Sequence, residues 1–126
     1  MSTSLAFRKH QRLLNARDFK AVFDDAPFRA SHQHLLLLSR DNQSDCARLG
    51  LVIAKKNIRH AVDRNRVKRL IRESFRQHQH QLAGLDVIVL ARRGLDELDN
   101  PSIHKLLSKQ WQRIIRKRDQ ASGDQT

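Results

Sequence analysis

The chain has 126 residues, enough for one domain with a single modest core. Lys plus Arg number 25 against 13 Asp plus Glu, a formal net charge of +12 that exceeds what solubility requires and points to a polyanionic partner. No run approaches the roughly 18 apolar residues that span a bilayer, MSTSLAFRKHQR at the start lacks a signal-peptide core, and the one cysteine, Cys46, excludes an internal disulfide and a Cys-based zinc site; a cytoplasmic, membrane-free protein is expected.

Residues 1–14 read as a basic extended arm carrying Phe7 and Arg12. In NARDFKAVF, Asn15 is an N-cap with Asp18 three residues on, and Phe19, Val22 and Phe23 follow at helical spacing, predicting a short helix to about Asp25 that Pro27 breaks. HLLLLSR suits a buried strand, Asp41 to Asp45 a polar loop of the kind that joins antiparallel strands, and ARLGLVIAKK another strand. From about Arg59 to Leu82 neither Pro nor Gly occurs, and Gly84 is a helix stop, so one long helix is expected. DVIVLAR, from Asp86 to Arg92, suits an interior strand. Asn100 as N-cap and Pro101 at the first turn then open an amphipathic helix with Ile103, Leu106, Leu107, Trp111, Ile114 and Ile115 on one face. The tail from about Asp119 to Thr126 is polar and expected to fray. The order of elements predicts a single α/β (α+β) domain over residues 1–126, a sheet with helices packed on it as a two-layer sandwich.

The long helix carries the charge. At 100° per residue, Val67, Leu70, Ile71, Ser74 and Phe75 form one arc, while Asn65, Lys68, Arg69, Arg72 and Arg76 form the opposite arc with Arg64 and Arg66 at its margins. Between Lys55 and Arg76 nine cations (with Lys56 and Arg59) face two acids, Asp63 and Glu73, so +7 of the net +12 lies in 22 residues. A merely solvated face gains from alternating signs; Lys68 to Arg72 and Arg72 to Arg76 are like-charged pairs four apart that repel unless an anion lies between them. Arg forks two hydrogen bonds to a phosphate, which favours a nucleic-acid backbone as the anion.

The segment AKKNIRHAVDRNRVKRLIRESFR, residues 54–76, resembles the signature of the bacterial ribonuclease P protein family, in which Arg-Asn-Arg is followed by further basic residues on a helix. The resemblance extends through RLL and DFKAVF upstream and through DVIVLARRG and the Trp111 helix downstream, roughly residues 7–117. It implies a mostly four-stranded sheet with about three helices and a left-handed βαβ crossover. It further implies a protein subunit that binds a catalytic RNA and the 5′ leader of precursor tRNA and so assists endonucleolytic tRNA maturation, with no obligate protein partner. By resemblance Lys55, Lys56, Arg59, Arg64, Asn65, Arg66, Lys68, Arg69, Arg72 and Arg76 contact the catalytic RNA. A cleft between the first helix and the sheet holds the leader, with Phe7, Arg12, Phe19, Phe23 and, where relatives often carry a Tyr that this chain lacks, Leu37. Phe19 and Phe23 suit either a core stripe or a stacking platform for single-stranded RNA.

No constellation of acids or histidines suggests a protein-borne nuclease centre: the carboxylates are scattered, and Asp96, Glu97 and Asp99 read as helix-start chemistry. Hydrolysis is therefore expected from magnesium bound mainly by the RNA, with no metal held by the protein. A ribosomal-type structural RNA-binding protein without a processing role is the alternative, and a DNA-binding regulator a more distant one.

Overall fold

The computed structural model describes residues 14–123. Phe7 and Arg12 lie outside them. The elements in chain order are α1 (Ala16–Asp24), β1 (Phe28–His32), β2 (Leu35–Asp41), β3 (Arg48–Val52), α2 (Ala61–His78), β4 (Leu85–Ala91), a 3-10 turn (Leu95–Glu97) and α3 (Asn100–Gly123).

Helix α1 starts as its sequence dictates. The Asp18 amide donates to Asn15 Oδ1 (2.9 Å) and the Asn15 amide to Asp18 Oδ2 (3.3 Å), a reciprocal cap. The stripe expected on α2 is the buried one: Val67, Leu70, Ile71, Ser74 and Phe75. Strand β1 had no expected position. It is an edge strand whose only wholly buried residue is Ala30, so its pattern carries little apolar signal.

The sheet is mixed, in the order β1-β2-β4-β3. β4 runs antiparallel to β2 and parallel to β3, which explains its continuous apolar run as an interior strand. The loop from Asp41 to Asp45 therefore does not join neighbouring antiparallel strands, as expected, but passes from β2 to β3 around the end of β4. It closes on its own side chains, with Asp41 Oδ1 accepting from the Gln43 amide (2.7 Å) and Asn42 Oδ1 from the Ser44 amide (2.8 Å), and the Asn42 amide donates to the Gly84 carbonyl (2.8 Å).

Three boundaries differ from expectation. β3 ends at Val52, because the chain turns at Lys55 and Lys56, where the amides of Asn57 and Ile58 both reach the Ala54 carbonyl at 3.0 Å. α2 ends at His78 and the turn that follows closes on Gly84, whose φ of 88° favours glycine. α3 is capped by Asp99 rather than Asn100, since Asp99 Oδ1 accepts from the Ser102 amide (2.9 Å), and it continues through the segment from Asp119 expected to fray, to Gly123.

Strand alternation divides the core. On one sheet face Leu35, Leu37, Leu49, Val87 and Val89 pack with Val67, Ile71, Phe75, Ile103, Trp111 and Ile114 of α2 and α3. On the other, Leu38 and Ile88 meet Leu14 and Val22, with Phe19, Leu36, Val52 and Leu90 around them. α1 is only nine residues, about 13 Å long, and covers this second face in part. Among the described residues no helix is long and apolar enough to cross a membrane.

Candidate nucleic-acid interface

Sorting the cations of α2 by what they touch separates scaffold from surface. Asn65, Arg69 and Arg72 are exposed, Lys68 and Arg76 half-buried, and none of the four cations pairs with a carboxylate among the described residues. Lys55, Lys56 and Arg59 are exposed on the turn that leads into the helix.

Arg64 and Arg66, at the margins of the arc, turn inward. Arg64 Nη1 donates to the carbonyls of Ile58 (3.1 Å) and Arg59 (2.9 Å), folding the turn onto the first helical residues. Arg66 donates to Asn100 Oδ1 (2.6 Å) and to the carbonyls of Asp96 (2.8 Å) and Leu98 (3.2 Å), so it clasps the start of α3. Of the two acids nearby, Glu73 faces α3, 3.8 Å from His104 Nε2. The outward arc is thus left cationic.

The second feature lies on the opposite sheet face. Phe19 and Phe23 stack with centroids 6.3 Å apart and planes 21° from parallel, and Phe23 is 50% exposed. Phe19 can pack closely on β3 because residue 50 is glycine: a Cβ there would come within 2.6 Å of the Phe19 ring. The half-buried Leu36, Val52 and Leu90 form the floor, with Leu38 and Ile88 buried under it in the core. Leu37, expected in this cleft, is not part of it; it is fully buried against α2 and α3. Side chains alternate along a strand, so a position shifted by one residue changes faces, and Leu36 and Leu38 are the cleft residues of β2.

Two arginines fasten α1 above this floor. Arg48 forks onto buried Asp86 (Nε to Oδ1 and Nη2 to Oδ2, both 2.8 Å) and reaches Asp18 Oδ2 at 3.1 Å. Its pKa is raised above the ordinary guanidinium value, chiefly by the hydrogen bond to Asp86. Arg40 Nη1 donates to the Ala21 carbonyl (3.0 Å). The period-two pattern of β2, β3 and β4 carries the signal for the floor and for this clamp, but only once the face of α1 is known. Among the described residues no three His, Cys, Asp or Glu side chains come together to share a metal ion.

A mixed four-stranded sheet with an unpaired cationic helix on one face and an aromatic cleft on the other defines a small α+β RNA-binding protein. The sequence profile of the family described as Ribonuclease P matches residues 7–115. The ribonuclease P protein component of Pseudomonas aeruginosa is 54% identical over 112 residues, covering 89% of this chain and 83% of that protein. That of Saccharophagus degradans is 48% identical over 120 residues, covering 95% and 89%. The solved structure of the RNase P protein from Thermotoga maritima superimposes with a TM-score of 0.68 at 31% identity, covering 79% of this chain and 94% of that one. The chain belongs to the ribonuclease P protein family.

Proposed function

We propose that this chain is the protein subunit of ribonuclease P, docking on the catalytic RNA through the outward cations of α2 and holding the 5′ leader of precursor tRNA in the cleft beneath α1. Membership of the family makes it a component of a ribonucleoprotein endoribonuclease acting in tRNA 5′ processing. What supports the division of labour is the placement of the two features on opposite faces of one sheet, joined by β3. Gly50 and Val52 of that strand belong to the cleft, and the chain then runs directly into the Lys55 and Lys56 turn and α2.

The chemistry required of the protein is positional. Two polyanions must approach each other, and Lys68, Arg69, Arg72 and Arg76 lower their repulsion by replacing condensed counterions. Stacking on Phe23 and Phe19 accepts any base, so leaders of different sequence bind alike. Magnesium held by RNA phosphates would supply the hydrolytic chemistry, and the part of this chain's residues is to hold and orient the two RNAs. The complex works in the cytoplasm.

Cleavage of precursor tRNA by the RNA with and without the protein, at physiological salt, tests the reading. The protein is expected to accelerate cleavage, and Phe23→Ala to weaken binding of precursor but not of mature tRNA by about 1–3 kcal/mol. No acceleration, or equal loss for both tRNAs, overturns it.

A further inference from the structure

Between Asn100 and Arg118 the last helix carries six cations (Lys105, Lys109, Arg113, Arg116, Lys117 and Arg118) and no acid. With the +7 between Lys55 and Arg76 these two stretches hold +13, leaving −1 for the rest of a chain whose net charge is +12. The excess is therefore concentrated in α2 with the turn before it and in α3, whose one acid, Asp119, pairs with Arg118 at 3.1 Å. The two helices lie side by side on one sheet face, locked by Phe75 against Trp111 (centroids 5.9 Å apart), and Gln112 Nε2 donates to Gln81 Oε1 in the turn after α2 (3.3 Å).

Three of the six cations on α3 have structural work. Arg113 Nη1 donates to the Ser31 carbonyl (3.1 Å) and Lys117 to the Arg29 carbonyl, closing the open edge of β1. Arg118 Nη1 donates to the Ala83 carbonyl (3.1 Å). The other three, Lys105, Lys109 and Arg116, are exposed, meet no carboxylate among the described residues, and share one arc with exposed Gln112 opposite buried Leu107. They span 11 residues, roughly 16 Å along the axis. A shallow groove of about 550 Å³ runs among them.

We infer that this outward face of α3 is a second docking surface for the catalytic RNA, continuous with the cationic face of α2. The inference rests on the proposed function. Lys105 and Lys109 lie four apart and repel, as the pairs on α2 do, and phosphates between them remove that cost. A protein partner is disfavoured because the face has no apolar or aromatic anchor; among the described residues only Phe23 and Val62 are large exposed hydrophobics, and neither is on α3. The leader is disfavoured because its cleft is on the other sheet face.

The test is titration of the catalytic RNA with the full chain and with K105A/K109A/R116A, over a range of salt concentrations. The triple variant should bind at least tenfold more weakly at low salt, with a log-log slope flatter by about two, since three phosphate contacts release about 0.7 to 0.9 counterions each. R69A/R72A is the control for α2. A flattened slope for the control but not for the triple variant overturns the inference and leaves the proposed function standing; unchanged slopes in both overturn both. Intact RNA binding with weaker precursor tRNA binding by the assembled enzyme reassigns the face to substrate and overturns the inference. K105Q/K109Q/R116Q, which retains side-chain length, replaces the alanine variant if that one loses thermal stability.

Discussion

Arg66 and Arg69 sit three residues apart on one helix, yet their surroundings give them opposite tasks. Arg66 is half-buried with three acceptors at the start of α3, while Arg69 faces solvent with none. Arg66→Ala should cost about 1–3 kcal/mol in urea unfolding, because the Asp96 and Leu98 carbonyls lose a charged donor. Arg69→Ala should stay within about 0.5 kcal/mol and act on RNA affinity instead. Equal stability losses would remove the distinction. The helical wheel already put Arg66 at a margin of the cationic arc. What it could not contain was the carbonyl cluster that the 3-10 turn brings there, because that contact joins residues 30 and 32 positions apart. Leu37 failed for a related reason: in a four-Leu run every residue fits either face, and only the packing of α1 decides between odd and even positions.

At the level of elements, α1, α2 and β4 were legible because each carries its own signal: a capping box, a stripe of period 3.6, a continuous apolar run. The insertion of β4 between β2 and β3 was not, since strand pairing is non-local and nothing in the loop from Asp41 to Asp45 encodes it. The tight connection of β1 to β2 depends on a titratable group. His32 Nδ1 accepts from the His34 amide at 3.0 Å, which requires that nitrogen to be unprotonated. Its pKa lies below the usual 6.5, first through desolvation and then through the positive charges of His34, Arg113 and Arg92. The unfolded chain therefore binds a proton that the folded one resists, so His32 leaves stability intact above pH 6.5 and removes it as pH falls through the folded pKa. The thermal midpoint of the wild type should drop further between pH 7.5 and pH 5.5 than that of His32→Asn, which keeps an acceptor but cannot titrate. Parallel profiles would sink the assignment.

On the scale of the whole molecule, the two cationic helices act as one surface only if their relative position is held from below, because their outward faces repel. The holding contact is central and polar. Trp111 Nε1 donates to Ser74 Oγ at 2.8 Å, with both residues buried, and the Trp111 ring meets Phe75 edge-on. Trp111→Phe leaves the Ser74 hydroxyl without its donor, and Ser74→Ala leaves an indole N–H unpaired; each should cost about 1–3 kcal/mol for the orphaned group, with the tryptophan change also losing volume. The double variant removes both polar groups and so should be less unstable than the sum of the singles, with a coupling of about 0.5–3 kcal/mol in denaturant unfolding. Strict additivity would mean that the bond contributes nothing and that shape alone registers the helices. A measured coupling would tie the joint between α2 and α3 to one hydrogen bond in the core, and the salt dependence of RNA binding in the single variants would then show whether the two cationic faces lose their alignment along with it.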